Sequence, residues 1–238
     1  MPAEGWSKNV KHPPWRWCFV MKKEKRAILF SNGEAQNPER LQIRTDDYLI
    51  AVDGGLKHLE KLGLSPDLLI GDLDSVDSQD LQNLESSSVE VLRFNPQKDD
   101  TDLALALREA IKRGYQRIVI AFGLGGRVDH LLASLGLLEV AKTEAIEIYF
   151  DDGTTRVFLF DDEITLDAEP QDLISLIPWR GDALVHETQN LAYALRDEWL
   201  PFGTSRGVSN LALAQTIRVS ISKGELLVIH TKTNANKA

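Results

Sequence analysis

Residues 48–75 read YLIAVDGGLKHLEKLGLSPDLLIGDLDS, and the pattern of this stretch predicts the fold class. It opens with a short apolar run, YLIAV, and closes on a second one, LLI. Between the two runs, Leu56, Leu59 and Leu62 recur at the spacing of one helix face. A buried strand, a helix and another buried strand in that order predict two parallel strands joined by a helical crossover.

The same alternation continues on both sides of this stretch. Six apolar runs are predicted as buried strands, at 27–30, 48–52, 68–70, 89–92, 118–122 and 146–150. Further helical patterns cover 103–111 and 131–140. We therefore expect an α/β domain with a doubly wound, mostly parallel sheet that binds ligands at the carboxyl ends of its strands.

Beyond residue 152 the pattern changes. Short segments rich in β-branched residues, separated by turn residues, occupy 156–160, 173–177, 183–186, 216–221 and 226–230. They predict a smaller all-β domain over residues 153–232, which follows the α/β domain of residues 25–152. Residues 1–24 are expected to form an extension that precedes the fold.

The composition narrows the class of protein. The chain has 238 residues with 27 Lys and Arg against 36 Asp and Glu, a net charge of -9, which disfavours binding to a nucleic-acid backbone. No apolar run has the roughly 20 residues of a membrane-spanning helix, and the N-terminal run is shorter than a signal-peptide core. The single cysteine, Cys18, cannot form an internal disulfide, so we expect a cytoplasmic protein without a membrane or nucleic-acid partner.

Aspartates concentrate just after the predicted strands. They form three clusters, which are Asp53, the pair Asp72 and Asp74, and the group Asp99, Asp100 and Asp102. Carboxylates two residues apart in a loop can turn their oxygens to one Mg²⁺ ion, which also binds substrate phosphates. Turns and helix starts favour aspartate as well, so each cluster alone has a structural alternative. The three together predict a metal–nucleotide site.

Two glycine-rich turns accompany the aspartates. Gly54 and Gly55 follow the second strand and allow a close approach of backbone N–H groups to a ligand. Residues 123–130 read GLGGRVDH, in which the planar guanidinium of Arg127 can hold phosphate oxygens. The chain has neither a P-loop motif nor a Gly-x-Ser-x-Gly elbow, which disfavours a P-loop NTPase and an esterase.

In order and spacing, these motifs resemble the thiamine pyrophosphokinase family. The resemblance covers about residues 27–230 and rests on AVDGG (51–55), PDLLIGDLDS (66–75), KDDTD (98–102), GGRVDH (125–130) and SN (209–210). It implies an α/β nucleotide-binding domain followed by a β-sandwich, in a homodimer with active sites at the interface. The implied reaction transfers pyrophosphate from Mg²⁺–ATP to the hydroxyl of thiamine, giving thiamine diphosphate and AMP.

The resemblance also implies roles for single residues. Those assigned to the metal are Asp72, Asp74 and Asp99. Those assigned to ATP are Asp53, Gly54, Gly55, Asp72, Asp74, Lys98, Thr101, Arg127 and Asp129. Asp99 or Asp102 is expected to accept the hydroxyl proton, and Ser209 and Asn210 are expected in the thiamine pocket.

The chain departs from the family pattern at residues 190–193. It reads Asn-Leu-Ala-Tyr where the family commonly has Gly-Leu-Lys-Tyr, so a turn glycine and a basic residue are both replaced. Two other functions stay open at this point. One is a pyrophosphokinase for another hydroxymethyl acceptor such as a pterin, and the other is a non-catalytic nucleotide-binding regulator.

Overall fold

A computed structural model describes residues 16–18, 25–35, 37–74, 87–95, 97 and 99–233. The chain forms two compact units that meet in sequence between Gly153 and Thr154. We call residues 25–153 the α/β unit, and residues 154–233 together with the short strand β1 (Arg16–Cys18) the β unit. None of the helices in the described part of the chain has the length and hydropathy of a membrane-spanning segment.

The α/β unit is built on parallel strands. They are β2 (Arg26–Phe30), β3 (Tyr48–Val52), β4 (Leu68–Gly71), β5 (Glu90–Arg93), β6 (Arg117–Ala121) and β7 (Glu147–Asp151). They pair in the order β7-β6-β2-β3-β4-β5. Every residue of β2 and β6 is buried, as expected for central strands covered on both faces.

Short helices connect these strands. Within the described ranges, the helices are α1 (Leu56–Lys61), α2 (Asp102–Lys112), α3 (Val128–Gly136) and α4 (Val140–Glu144), with 3₁₀ turns at Pro38–Arg40, Asp53–Gly55 and Leu137–Glu139. Helix α2 buries one face formed by Leu103, Ala106, Leu107 and Ala110. Burying a leucine side chain stabilises a fold by about 1.5–3 kcal/mol, so this face holds the helix on the sheet.

The strand order places a switch point beside β2. From β2 the chain builds outward through β3, β4 and β5, and it then returns to add β6 and β7 on the other side of β2. The connections that follow β2 and β6 therefore leave in opposite directions. In open α/β sheets, ligands bind in the crevice at the carboxyl ends of such a strand pair.

The β unit contains two sheets. Its later strands are β8 (Thr155–Phe160), β9 (Glu163–Asp167), β10 (Leu173–Pro178), β11 (Ala183–Gln189), β12 (Arg196–Leu200), β13 (Asn210–Leu211), β14 (Thr216–Lys223) and β15 (Leu226–Thr231). One sheet has the order β13-β10-β15-β8 and the other β1-β9-β14-β11-β12. Residues alternate between buried and part-exposed along β10 and β14, so each sheet turns one face to a core.

The predicted fold class is confirmed. All six predicted strands of the α/β half are present within one residue of their expected bounds, and all five of the β half are present. Strands β9, β12 and β13 were not predicted. Within the expected N-terminal extension, residues 16–18 form β1, which pairs in parallel with Glu163–Thr165 of β9.

Candidate active site

Three aspartates meet at the carboxyl edge of the parallel sheet. One carboxylate oxygen from each of Asp53, Asp72 and Asp74 lies within 4.8 Å of the others. Asp53 directly follows β3, and the other two follow β4. Strands β3 and β4 pair in parallel with Val52 opposite Ile70, and this register brings the two loops together. We call these residues the aspartate cluster.

The backbone at the cluster has unusual conformations. Asp53 has φ 48°, and Leu73, between the other two aspartates, has φ 65°. Gly71 has φ 155°, and a Cβ atom there would lie 3.0 Å from Cβ of Asp53. A side chain at residue 71 would therefore push on the aspartate, which gives that glycine a packing reason.

One oxygen of the cluster lacks a hydrogen bond. Oδ1 of Asp53 is buried and has no partner among the described residues. A buried carboxylate oxygen without a partner costs at least about 1–3 kcal/mol of desolvation, and more when it is charged. A divalent cation would supply the missing interaction, and three carboxylates are the hard oxygen ligands that Mg²⁺ takes in proteins. The residues present therefore fit a magnesium site.

The third predicted group of aspartates, Asp99, Asp100 and Asp102, lies at the start of α2. Asp99 is within the described ranges and is not part of the aspartate cluster, although it was predicted as a metal ligand with Asp72 and Asp74. Asp53, which was predicted for ATP only, belongs to the aspartate cluster, and the metal role of Asp99 stays a prediction. Lys98, predicted to bind ATP, lies outside the described residues.

Two residues of that segment, Thr101 and Asp100, form contacts with α2. Oγ1 of Thr101 accepts a hydrogen bond of 3.2 Å from the backbone N–H of Ala104 and caps α2, whose first residue is Asp102. Asp100 forms an ion pair of 2.5 Å with Arg108. The cap fixes where the helix begins, and it thereby fixes the backbone position of Asp102.

Arg127 and Asp129 are paired and exposed. Nη2 of Arg127 donates to Oδ2 of Asp129 at 2.6 Å, and Nε donates to Oδ1 at 3.1 Å. This contact lowers the pKa of Asp129 to about 2 and raises the pKa of Arg127. The guanidinium is thus held in a forked geometry on the loop after β6, in the form that binds carboxylate or phosphate oxygens.

The glycines after β3 are required by a close backbone approach. A Cβ atom on Gly55 would lie 1.8 Å from the carbonyl oxygen of Phe30, at the end of β2. A Cβ on Gly54 would lie 2.7 Å from the side-chain nitrogen of Asn32. The predicted ATP-binding glycines therefore let the turn after β3 pack against the loop after β2. Sequence reasoning missed that second loop, because it carries neither an aspartate nor a pair of glycines.

In the β unit, Asn210 is buried, and both polar atoms of its side-chain amide form hydrogen bonds. Oδ1 accepts from the backbone N–H groups of Tyr193 and Leu211, both at 2.9 Å, and Nδ2 donates to the carbonyl of Tyr193 at 2.7 Å. The neighbouring Ser209 has φ 60°, and its backbone N–H donates to Oγ of Ser175 at 3.0 Å. Asn210 thus holds the end of the segment that departs from the family pattern.

Known proteins match the chain over both units. Residues 40–150 match the model of the thiamin pyrophosphokinase catalytic domain, and residues 162–226 match that of the thiamin pyrophosphokinase vitamin B1 binding domain. A curated thiamine pyrophosphokinase of Bacillus subtilis (strain 168) is 30% identical over 195 residues, which are 79% of this chain and 89% of the relative.

Solved structures agree with these matches. A thiamine pyrophosphokinase from Bacillus subtilis has a TM-score of 0.79 at 26% identity and covers 88% of this chain and 100% of its own. A family protein from Enterococcus faecalis has a TM-score of 0.75 at 25% identity, with 88% and 99% covered. The yeast thiamin pyrophosphokinase has the same fold, with a TM-score of 0.72 at 17% identity over 89% of this chain and 88% of its own.

A parallel α/β sheet with a cluster of three aspartates at its carboxyl edge, followed in the chain by a β unit, defines a two-unit α/β protein of the nucleotide-binding type. Within that class, the chain belongs to the thiamine pyrophosphokinase family.

Proposed function

We propose that this chain transfers the pyrophosphoryl group of ATP to thiamine. The thiamine hydroxyl oxygen attacks the β-phosphorus, the bond from that phosphorus to the oxygen bridging to the α-phosphate breaks, and AMP leaves with the bridging oxygen. Family membership supplies the reaction. The aspartate cluster, with its unpartnered Asp53 oxygen, is the observation in this chain that carries the proposal.

Asp53, Asp72 and Asp74 would hold the magnesium ion. When bound there, the ion neutralises phosphate charge and helps to align the polyphosphate. Because phosphoryl-type transfer needs positioning and charge neutralisation more than covalent catalysis, few other groups are required. Arg127 offers one of them, since a phosphate can replace Asp129 as the partner of its exposed guanidinium.

The proton of the thiamine hydroxyl needs an acceptor, and we assign it to Asp99 or Asp102. Both lie at the beginning of α2, next to the cap formed by Thr101. Asp99→Asn and Asp102→Asn separate the two, because loss of the base lowers kcat by about 10²–10⁴-fold while KM for ATP changes little. Equal and undiminished kcat in both variants would contradict the assignment.

For thiamine recognition we assign the segment around Ser209 and Asn210 in the β unit. The thiazolium ring carries a permanent positive charge, which suits a chain with a net charge of -9. Because the amide of Asn210 is bonded to the backbone of Tyr193, we assign it the task of positioning residues 190–193. We assign the hydroxyl of Ser209 to a contact with thiamine.

The functional form in this proposal is a homodimer with active sites at the interface. Helix α3 supports it, since none of its residues is buried in the single chain and Val128 and Leu132, one turn apart, are 70% and 59% exposed. Such an apolar stripe is typical of a face covered by a partner. Leu132→Glu should give monomers by light scattering, whereas Ser134→Glu tests the polar side of the same helix. The ATP requirement and the single cysteine favour the cytoplasm.

The test of function is AMP and thiamine diphosphate formation from ATP, Mg²⁺ and thiamine, followed by chromatography. We expect both products in equal amounts and only when thiamine is present. AMP formation with a hydroxymethyl pterin but not with thiamine would favour the alternative acceptor. ATP binding without AMP release in either case would indicate a nucleotide-binding regulator.

A further inference from the structure

The loop after β2 lies at the switch point of the sheet and contacts both of the neighbouring loops there. It comprises residues 31–35, which read SNGEA. The backbone N–H of Ser31 donates to the carbonyl of Ala121, the last residue of β6, at 2.9 Å. A Cβ on Gly33 would lie 2.1 Å from the carbonyl oxygen of Phe122, so this loop is packed tightly on the chain that follows β6.

A buried histidine holds the same loop from the other side. Nε2 of His58, on α1, is 2.9 Å from the carbonyl oxygen of Gly33, and the imidazole ring packs on Phe122 with 4.7 Å between ring centroids. Burial lowers the pKa of His58, so the ring is neutral near pH 7 and donates one N–H to that carbonyl. The loop is therefore fixed in place on both sides.

At the tip of this fixed loop, Asn32 meets a lysine. Nζ of Lys57 donates to Oδ1 of Asn32 at 2.5 Å. The Asn32 amide also packs against Gly54, the residue that follows Asp53 of the aspartate cluster. Lys57 is exposed, and its ammonium group has two further N–H donors. The ammonium group of Lys57 is thus held by Asn32, whose amide lies against the residue that follows Asp53.

We propose that Lys57 contacts a phosphate oxygen of the nucleotide and that Asn32 is its positioning residue. The inference rests on the proposed use of Mg²⁺–ATP, because a polyphosphate keeps net negative charge after it binds one divalent ion. A lysine ammonium beside the metal neutralises that remainder as a point charge. An exposed Lys–Asn hydrogen bond contributes little to folding, so its placement at the switch point is better explained by a ligand.

The test is steady-state kinetics of the full-length protein with Mg²⁺–ATP varied. Lys57→Gln should raise KM for Mg²⁺–ATP by about tenfold, the effect of one charge-assisted hydrogen bond, and leave KM for thiamine unchanged. Lys57→Arg should recover most of the affinity. Lys61→Gln makes the same charge change at an exposed site one turn further along α1 and should behave as wild type.

Inorganic tripolyphosphate separates a phosphate contact from a nucleoside contact. As a competitive inhibitor, it should lose affinity in Lys57→Gln by the same factor as ATP. Asn32→Ala should weaken Mg²⁺–ATP binding by about threefold and have no further effect in the Lys57→Gln background, since it acts through Lys57. Melting temperatures check that each variant is folded.

Equal KM values for Mg²⁺–ATP in Lys57→Gln and Lys61→Gln would overturn the inference and leave the proposed function intact. If wild type forms no AMP, the proposed function fails, and calorimetric Kd values for Mg²⁺–ATP in the same variants then decide the inference alone. No binding of Mg²⁺–ATP to wild type would overturn both.

Discussion

At the scale of single residues, Asp53 carries the most specific constraint in the site. Its backbone has φ 48°, and its Oδ1 atom is buried without a partner among the described residues. Conformations of this kind persist only where the surrounding structure imposes them, and they cluster at functional sites. Both features fit the proposed cation site at the end of β3.

Asp53→Asn should therefore separate stability from metal binding. Asparagine tolerates positive φ and removes one of three clustered carboxylates, so the melting temperature without ligand should stay equal or rise. The rise in melting temperature on adding Mg²⁺–ATP should shrink, because ligand-linked stabilisation follows affinity. The matched control is Asp46→Asn, which changes an exposed aspartate of the same unit. An unchanged ligand-induced shift in Asp53→Asn would contradict the metal assignment.

In the β unit, the buried amide of Asn210 is expected to stabilise the fold. Asn210→Ala removes three hydrogen bonds to the backbone of Tyr193 and Leu211 and leaves buried groups unsatisfied. We expect a loss of about 2–3 kcal/mol in the free energy of unfolding, measured by urea denaturation. Ser209→Ala, next in the chain, should change stability by less than about 0.5 kcal/mol. Equal stability of the two variants would show that Asn210 has no structural task.

At the scale of elements, the turn after β3 depends on a glycine. In Gly55→Ala, the new Cβ would lie 1.8 Å from the carbonyl oxygen of Phe30, which is backbone and cannot rotate away. We expect destabilisation of about 3 kcal/mol or more, by analogy with other severe steric substitutions. Gly181→Ala is the control, because nothing lies within 4 Å of its Cβ position. Similar urea midpoints for both variants would contradict this packing.

Some strands could be predicted from the sequence and others could not. The parallel strands were predictable because they are buried on both faces and form continuous apolar runs, such as β2 and β6. Strand β12 was missed because its residues, RDEWL, are mostly exposed, and β13 because it has only two residues. Their places are set by pairing with distant strands rather than by local pattern.

Only the part of the candidate site that depends on spacing along the chain could be predicted from the sequence. Spacing along the chain predicted Asp72 and Asp74 as neighbours, but it could not reveal the register of β3 and β4 that adds Asp53. Asp99 follows the edge strand β5 by six residues, and spacing does not fix where a loop of that length ends. Asn32 and Lys57 meet only through the packing of α1 against the loop after β2.

At the scale of the whole molecule, buried histidines make stability dependent on pH. Burial lowers the pKa of His230 despite the opposing contact with Asp172, whose oxygen lies 2.8 Å from Nε2. The pKa of Asp172 is lowered too, since hydrogen bonds from His230 and two backbone N–H groups outweigh its desolvation. His58 has a pKa lowered by burial as well.

The lowered pKa values determine how the free energy of unfolding changes with pH. As pH falls through about 6.5, the unfolded chain binds protons at histidines that stay neutral in the native state, so the free energy of unfolding falls. The contribution of Asp172 is present above about pH 3.9 and is lost below it. Urea unfolding between pH 7.5 and 5.0 should show a falling free energy, with a shallower slope in His230→Gln. An equal slope in wild type and His230→Gln would contradict this account.

In the proposed reaction, the aspartate cluster holds the divalent ion used in pyrophosphoryl transfer. Thiamine-dependent AMP release, measured against Mg²⁺ concentration in wild type, Asp72→Asn and the control Asp46→Asn, tests it most directly. We predict that Asp72→Asn loses activity by at least about 100-fold at low Mg²⁺ and recovers part of it at high Mg²⁺, while Asp46→Asn follows wild type. Identical Mg²⁺ dependence in all three proteins would contradict the claim.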